Sequence, residues 1–487
     1  MQASIAGFIV CLAVLATGFV WRAPLFLGLF ISLAFASTAL VTLSSLGGSS
    51  PLIYTVFAAL LVAATTLRRR FLQEFGTVFG SVRTMWLLVA LMLYAAVSAF
   101  LFPRLFAGQT TSFVQSPQRF GVIEVPLSPV SGNISQTGYF LLGGFTAIAL
   151  TLILFHRDRF DLVRKGVLLF VIAHTAMGLI DFACKLGGVG DLLEPIRTAS
   201  YVMLTETSEA GFARITGAYS EASGFGGMSL ACIAFVYVDW RRTGSRLSAA
   251  LTVVLLVLLL LSTSSTAYVG MAVLALPLAA SLGTRIGRGR LDRPDLAVLI
   301  VGFAGLIAFL AVLIYNERAF DAFGQLIDTM VINKHSSSSG QERAYWNSKS
   351  LEALVDTSGF GLGFGSSRAS SWPIAVLSQL GVIGALMMAG LLFVVLRGLG
   401  SLEPWVDAST ADTVAGVRAV TLGGLVGAAF NGGSADPGIL FFVAVATVAA
   451  ARAKARLAEE AAGAAPPRGM VAGIPGLPGR EVLPASP

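Results

Sequence analysis

Residues 372–396 read WPIAVLSQLGVIGALMMAGLLFVVL, an apolar run of 25 residues without a charged side chain, and Arg397 follows directly. A membrane-spanning helix needs about 20 consecutive apolar residues. Runs that approach or reach this length recur along the whole chain. They cover 3–20, 24–43, 50–67, 84–102, 138–155, 166–186, 222–239, 247–263, 266–283, 295–315, 372–396, 413–430 and 437–451. The sequence therefore predicts an all-α polytopic membrane protein with about 13 transmembrane helices.

The composition agrees with a membrane protein. Apolar residues make up 55% of the chain, charged residues only 12%, and the mean hydropathy is +0.80. Soluble domains carry about 25% charged residues. The net charge of +7 could indicate nucleic-acid binding. The positive residues lie in loops between apolar runs, where membrane topology places them, so we predict no nucleic-acid partner. The first run lacks a basic leader and a small-residue cleavage site, so we expect a retained helix.

The positions of the basic residues predict the orientation of the chain. Clusters of lysine and arginine follow every second apolar run, and cytoplasmic loops carry an excess of these residues. The clusters are Arg68–Arg70, Arg157/Arg159/Arg164/Lys165, Arg241/Arg242/Arg246, Arg285/Arg288/Arg290/Arg293 and Arg452/Lys454/Arg456. With an odd number of spans, this pattern places the N-terminus outside and the C-terminus in the cytoplasm. The predicted location is the bacterial inner membrane.

The runs divide the chain into four parts. Residues 1–315 hold ten predicted spans and two long outer loops, and residues 372–451 hold the last three spans. Between them lies a large, partly helical periplasmic loop that is too long for a simple connector. The end of the chain is rich in alanine, glycine and proline, a composition typical of a disordered cytoplasmic tail. The two outer loops, the large loop and the tail cover about 103–137, 187–221, 316–371 and 452–487.

Three segments in the outer loops combine cations with distinctive neighbours. Arg214 stands seven residues before Glu221, at the start of a span. Lys334 and His335 lead through a serine run to Glu342, Arg343 and Trp346. Glycines at 359, 361, 363 and 365 then precede Arg368 and the run that contains Leu380-Gly381-Val-Ile-Gly384. In the first part of the large loop, 317–331 has the apolar spacing of a helix that lies flat on the membrane or caps the bundle.

The order of these segments resembles the bacterial O-antigen polymerase and ligase superfamily, which comprises the Wzy-type polymerases and the WaaL-type lipid A-core ligases. The resemblance covers about residues 205–400 and implies a GT-C-like glycosyltransferase architecture. Members resemble one another in an R-x-x-G-x-x-x-E-x-S element, an arginine and a tryptophan before a G-x-G-x-G-S turn, and a Leu-Gly-x-x-Gly signature. Ligases have a His-Asn pair where this chain has Ser370, so the resemblance favours a polymerase.

A glycan carried on polyprenyl pyrophosphate requires cations at the membrane surface. Arginine suits this role because its planar fork bonds phosphate oxygens bidentately and stays charged. We therefore predict Arg214 and Arg343 as catalytic residues that stabilise the leaving pyrophosphate, with Glu221, Glu342 and His335 as candidate bases. Predicted substrate-binding residues are Arg368, Lys334, Trp346 and Glu342. The outer loops contain no set of metal ligands, and we expect neither a metal nor another cofactor.

Each assignment has a simpler alternative. Arg214 and Arg343 could anchor the chain at the interface or pair with Glu221 and Glu342, and Arg368 could extend its side chain to the membrane surface. Glu221 could serve as a helix-start carboxylate, and His335 could lie in a flexible solvated loop.

The predicted function is polymerisation of undecaprenyl-pyrophosphate-linked repeat units into O-antigen, capsule or exopolysaccharide on the periplasmic side. The alternatives are a ligase that transfers the glycan to lipid A-core, and a lipid-linked glycan flippase or transporter. Few ionisable residues lie within the apolar runs, which disfavours transport. Expected partners are the lipid-linked donor and acceptor, membrane lipids, a flippase and a chain-length regulator.

Overall fold

The computed structural model of the chain describes residues 2–43, 49–115, 121–201, 203–206, 208–209, 212–315, 324 and 338–463. The predicted amphipathic stretch 317–331, apart from 324, and residues 464–487 of the predicted tail lie outside these residues. The first part of the predicted tail, 452–462, is not disordered, because the helix Ile439–Ala462 continues through it. Most of the described chain is helical. In chain order the helices are α1 Ile5–Val20, α2 Pro24–Ile31, α3 Ile53–Thr66, α4 Phe71–Ser81, α5 Thr84–Leu105, α6 Ser131–Arg157, α7 Phe160–Gly187, α8 Ala222–Thr243, α9 Arg246–Leu261, α10 Ser265–Gly287, α11 Arg293–Tyr315, α12 Ser338–Asp356, α13 Trp372–Arg397, α14 Ala408–Asn431 and α15 Ile439–Ala462.

The strands are short antiparallel pairs between the helices. Strands β1 (Gln2–Ala3) and β2 (Val41–Thr42) pair near the start of the chain. Strands β3 (Thr111–Gln115) and β4 (Val122–Pro126) form a hairpin after α5. The third pair is β5 (Ser208–Glu209) with β6 (Phe212–Ala213), shortly before α8. These strand pairs lie in the connections between the helices of a bundle.

Seven helices of the described residues are long and apolar enough, by length and composition, to cross a membrane. They are α5, α6, α7, α8, α10, α13 and α14. Helices α1, α3 and α9 are apolar but shorter, as is the segment from α2 to Ala34. The chain is therefore an all-α protein with the character of a multi-pass membrane protein, and the count of 13 spans stays a prediction.

The second apolar run, 24–43, differs from a single long helix. Helix α2 ends at Ile31, and a 3-10 turn continues only to Ala34. Beyond it, the carbonyl of Ser37 accepts hydrogen bonds from the backbone N–H groups of Thr198 and Ala199, at 2.9 and 3.0 Å. The backbone of this segment thus bonds to a loop more than 150 residues away, which apolar spacing alone does not predict.

The core of the bundle is built by α15 and the helices around it. Almost every residue from Ile439 to Ala453 is buried, as expected for a helix that is apolar on all sides. Helices α8 and α14 approach closely, because a Cβ added at Gly427 would lie 2.8 Å from the Cα of Gly227. Small residues permit such close contacts between membrane helices, where packing drives association.

Basic residues gather at one end of the bundle, which we call the basic end. Ion pairs link the segments that carry the predicted cytoplasmic clusters. These pairs are Arg164–Asp239, Arg241–Asp295, Arg242–Asp412, Arg285–Asp292 and Lys454–Asp158, with N to O distances of 2.5–3.0 Å. The predicted grouping of these clusters therefore matches the fold. We call the opposite end, which carries the hairpin β3–β4, α12 and the loop before α8, the loop end.

Candidate functional site

Helix α13 is broken at the loop end of the bundle. Gly381 has φ +64° and ψ −171°, so the backbone leaves the helical conformation for one residue. Only glycine adopts this region readily. A helix broken within a membrane leaves peptide groups that need new partners, because lipid offers none.

The glycine segment 359–365 supplies those partners. The carbonyls of Ser378 and Gln379 accept hydrogen bonds from the N–H groups of Leu362 and Gly363, at 2.8 and 3.0 Å. The N–H of Val382 donates to the carbonyl of Gly359 at 2.9 Å. Glycines 359, 361, 363 and 365 all have positive φ, so the segment folds as the tight turn that the sequence predicts. The glycine turn and the Leu380-Gly381 signature are therefore two halves of one structural unit.

The glycine turn holds the segment that carries Arg368. The side chain of Gln379 accepts a hydrogen bond from the N–H of Gly365 and donates one to the carbonyl of Ser367, each at 2.9 Å. The Arg368 N–H donates to the carbonyl of Phe113 in β3 at 3.0 Å, so the hairpin supports the segment from the other side. The backbone of Arg368 is thereby fixed by the broken helix and by the hairpin.

Arg343 and Glu221 belong to one hydrogen-bonded cluster centred on Asn431. The Arg343 guanidinium donates from Nη1 to the carbonyl of Phe430 and from Nη2 to Asn431 Oδ1, both at 3.3 Å. Asn431 Nδ2 donates to Ser223 Oγ at 3.0 Å and to Glu221 Oε1 at 3.4 Å. Ser223 also donates to Glu221. Helices α8, α12 and α14 thus meet at this cluster, which joins residues more than 120 positions apart.

Arg368 lies beside the same cluster. A Cβ added at Gly433 would lie 3.3 Å from Arg368 Nε and Nη2, so the guanidinium rests against the loop that follows Asn431. The side chain of Arg368 is accessible to solvent. The protein around the guanidinium displaces part of its water and so lowers its pKa, whereas the negative charge of Glu221 raises that pKa. Two arginines and one glutamate therefore lie near one another at the Asn431 cluster.

Arg214 stands at the other side of α8. Its carbonyl accepts a hydrogen bond from Lys185 Nζ at 2.5 Å, and its charge acts on the hydroxyl of Tyr268 near the start of α10. Among the described residues, Arg214 Nε is buried without a hydrogen-bond partner. The hydroxyls of Thr263 and Thr266, in the turn and first residues of α10, are likewise buried and unpartnered there. Within the described chain, Arg214 therefore shares no hydrogen bond or ion pair with the Asn431 cluster.

Two other cations of the loop end are bound to carboxylates. Asp181 forms an ion pair with Lys185 at 2.9 Å and accepts hydrogen bonds from the backbone N–H groups of Thr216 and Gly217, at 2.7 and 3.0 Å. Arg197 pairs with Asp191. These contacts secure the loop that carries Arg214. Asp181 is thus a buried structural residue, as expected from its position four residues before Lys185 in α7.

The remaining predicted site residues divide into two groups. Trp346 packs against Phe113, with ring centroids 6.0 Å apart, and so supports the hairpin next to Arg368. Glu342 is exposed on α12. Lys334 and His335 lie outside the described residues. The structure therefore brings Arg343, Glu221 and Arg368 together, places Trp346 beside them, and locates Arg214 across α8.

Sequence analysis missed Asn431 and the polar loop that follows it. The segment Asn431-Gly-Gly-Ser-Ala-Asp436-Pro-Gly438 separates the last two apolar runs, and its glycine, proline and polar content could have indicated a functional loop. Asp436 lies with Tyr54 and Tyr139 around a small cavity. Burial raises the pKa of the Asp436 carboxyl to about 6, although a hydrogen bond from the N–H of Gly438 lowers this pKa to a smaller extent. Asp436 is thus a further titratable group at the loop end.

Among the described residues, no group of three histidine, cysteine or acidic side chains could hold a metal ion. Four described arginines of the loop end have no carboxylate oxygen within 4 Å among the described residues: Arg104, Arg214, Arg343 and Arg368. Arg104 is exposed and donates to the carbonyl of Phe100 in its own helix, whereas Arg343 and Arg368 lie at the Asn431 cluster and Nε of Arg214 is buried. The chain matches no family model, and no curated protein matches it.

Proposed function

We propose that this chain is a membrane glycosyltransferase that polymerises polyprenyl-pyrophosphate-linked oligosaccharide repeat units at the loop end of the bundle. The observation that carries the proposal is that Arg343 and Arg368 lie beside Glu221 at the Asn431 cluster and, like the partly buried Arg214, have no carboxylate oxygen within 4 Å among the described residues. Guanidinium groups that the protein leaves unneutralised are suited to an anionic ligand. A pyrophosphate that bridges lipid and sugar is such a ligand, and it lies at the membrane surface.

We propose that the transfer step uses the groups of the Asn431 cluster. A hydroxyl oxygen of the acceptor sugar attacks C1 of the donor sugar, and the bond between C1 and the pyrophosphate oxygen breaks. The electron pair of that bond stays on the pyrophosphate, where arginines stabilise the growing negative charge. Glu221 takes the proton of the acceptor hydroxyl, since a general base must lie within hydrogen-bond reach of it. Asn431 and Ser223 orient Glu221 by donating hydrogen bonds to its Oε1.

Asn431 gives Arg343 a precise orientation without neutralising it. Both partners of the Arg343 guanidinium are neutral oxygens, the carbonyl of Phe430 and the amide of Asn431. Its full positive charge therefore remains available to a substrate. A carboxylate in the place of Asn431 would compete with the pyrophosphate for that charge.

The lipid-linked products of a deletion strain test the proposed reaction. We expect single lipid-linked repeat units to accumulate, because the units are still made but are not joined. Accumulation of full-length polymer on the carrier lipid would instead indicate a ligase, and a shortage of units outside the cytoplasm would indicate a flippase. In proteoliposomes the purified protein should join lipid-linked units in the presence of EDTA. Loss of activity on chelation, with recovery on adding a divalent cation, would contradict a mechanism based on arginines.

We further propose that the loop end faces the periplasm and that the basic end faces the cytoplasm of the inner membrane. A cysteine introduced at Glu194, in the exposed loop before α8, should react in intact cells with a maleimide that cannot cross membranes. A cysteine at Arg288, equally exposed at the basic end, should react only after the membrane is opened. The unmodified chain, with Cys11, Cys184 and Cys232, gives the background. The reverse labelling pattern would show that the orientation is wrong.

A further inference from the structure

Helix α4 is a short amphipathic helix at the basic end that the apolar runs do not predict. It follows Arg68, Arg69 and Arg70 directly and lies between α3 and α5. Phe75 and Phe79 stack along one side of it with ring centroids 4.2 Å apart. His156, near the end of α6, holds the helix through contacts with Thr77 Oγ1 at 3.1 Å and with the carbonyl of Glu74 at 3.2 Å.

A cavity of about 410 Å³ lies between α4 and helices α3, α5 and α6. Its lining is almost entirely apolar and includes Phe71, Phe75 and Phe79 of α4, Thr66 of α3, Trp86 of α5 and Ile148 of α6. The volume falls within the range of about 300–1,000 Å³ that is typical of ligand pockets. An apolar cavity of this size offers no hydrogen bonds to hold water. It therefore suits a hydrocarbon chain.

Membrane lipid can reach this cavity. Leu67 and Leu72, which flank the three arginines, are 84% and 81% exposed, and Trp86 is 61% exposed. Tryptophan is enriched where the hydrocarbon of a bilayer meets its headgroups. These exposed apolar side chains indicate that the cavity lies at the level of the bilayer interface.

Positive charge gathers at the edge of the cavity. The arginine triplet connects Thr66 and Phe71, which both line the cavity, and Arg157 is close enough to Arg68 for its charge to act on it. Arg68 Nη1 is buried without a hydrogen-bond partner among the described residues, and its nearest carboxylate oxygen, on Glu74, is 3.8 Å away. Arg68 thus has one glutamate oxygen at 3.8 Å and the like charge of Arg157 near it. A phosphate placed between Arg68 and Arg157 would supply the missing partner and relieve their repulsion.

We propose that this cavity is a binding site for an anionic phospholipid of the leaflet at the basic end. One acyl chain lies among the phenylalanines of α4, and the phosphate lies between Arg68 and Arg157. The lipid would hold α4 against α3, α5 and α6. This site is at the opposite end of the bundle from the Asn431 cluster and does not depend on the proposed glycosyl transfer.

Lipid retention by the full-length protein tests the proposal. The purified chain, exchanged into nanodiscs of phosphatidylcholine with a small fraction of phosphatidylglycerol, should enrich phosphatidylglycerol among its tightly bound lipids, as measured by native mass spectrometry. One arginine near a membrane surface contributes about a fivefold gain in affinity for anionic lipid. We therefore expect Arg68→Gln and Arg157→Gln each to weaken retention about fivefold, and the double variant to weaken it on the order of 25-fold.

Two further variants separate the site from general charge. Arg288→Gln combined with Arg290→Gln removes two exposed arginines of the same end, far along the chain from α4, and should leave retention unchanged. Val62→Phe narrows the cavity and keeps every arginine, and it should reduce retention of the acyl chain. Equal retention of phosphatidylcholine and phosphatidylglycerol would overturn the proposal. So would equal loss in the Arg288/Arg290 variant, or displacement of the lipid by soluble glycerol phosphate, which would indicate an anion site without an acyl chain.

Discussion

Replacing Arg343 by lysine is expected to reduce polymer formation nearly as far as replacing it by alanine, by about 10²–10³ in rate. The two Nη atoms of Arg343 contact the carbonyl of Phe430 and the amide of Asn431, which fixes the plane of the guanidinium. A lysine ammonium is a point charge on a flexible chain and cannot present two parallel donors in that plane. The measurement is the initial rate of polymerisation in proteoliposomes, together with polymer length in cells.

Lys349 on the same helix provides the matched control. Its ammonium pairs with Glu352 at 2.5 Å on the surface of α12, and such exposed pairs contribute little to stability because solvent screens them. Lys349→Ala should therefore leave the polymerisation rate close to that of the unmodified protein. Full-length polymer at the normal rate from Arg343→Ala, with normal protein level, would show that Arg343 only anchors α12 to α14.

Replacing Gly381 by alanine is expected to prevent assembly of the loop end. An alanine Cβ at this position would lie 2.2 Å from the carbonyl oxygen of Phe360 and 2.4 Å from that of Gly359. Backbone strain of this kind costs about 1–3 kcal/mol, and the collision with two main-chain atoms adds to it. Total stabilities of proteins are about 5–15 kcal/mol. We expect most of the variant to be degraded in cells, and the purified remainder to unfold at a clearly lower temperature.

Gly390 tests the same substitution in the regular part of α13. A Cβ there would meet only the flexible end of Leu87, at 2.9 Å, and alanine favours a helix by about 1 kcal/mol over glycine. Gly390→Ala should therefore be produced normally and unfold near the temperature of the unmodified protein. The midpoint of thermal unfolding in detergent compares the two variants. Equal midpoints for both would mean that the break at Gly381 is not required for the fold.

The Arg343 and Gly381 variants probe different levels of the same unit. Gly381 allows the glycine turn to bond with the broken helix, and that turn fixes the backbone of Arg368 next to Glu221. Loss of Arg343 should lower activity without affecting the protein level, whereas loss of Gly381 should lower both. A drop in protein level on Arg343→Ala would therefore separate a structural role from a chemical one.

The linear order of apolar and charged residues was enough to predict the helical class and the grouping of the basic segments. Apolar runs must be buried or face lipid, and their length and position can be read without knowledge of contacts. The glycines at 359–365 also predicted a tight turn, since positive φ favours glycine wherever it occurs. Pattern alone failed at α4, because a helix of 11 residues with mixed polarity resembles a loop.

Apolar composition and run length predicted a helical membrane protein, and the outer-loop motifs predicted Arg214, Glu221, Arg343 and Arg368 among the site residues. Which of these residues meet depends on how the helices pack. Asn431 joins Arg343 to Glu221 across distances of 88 and 210 residues along the chain, and the break at Gly381 receives its hydrogen bonds from a separate loop. Residue spacing reports the face of a single helix, whereas such contacts depend on how several helices pack. For that reason the partners of an arginine had to come from the fold.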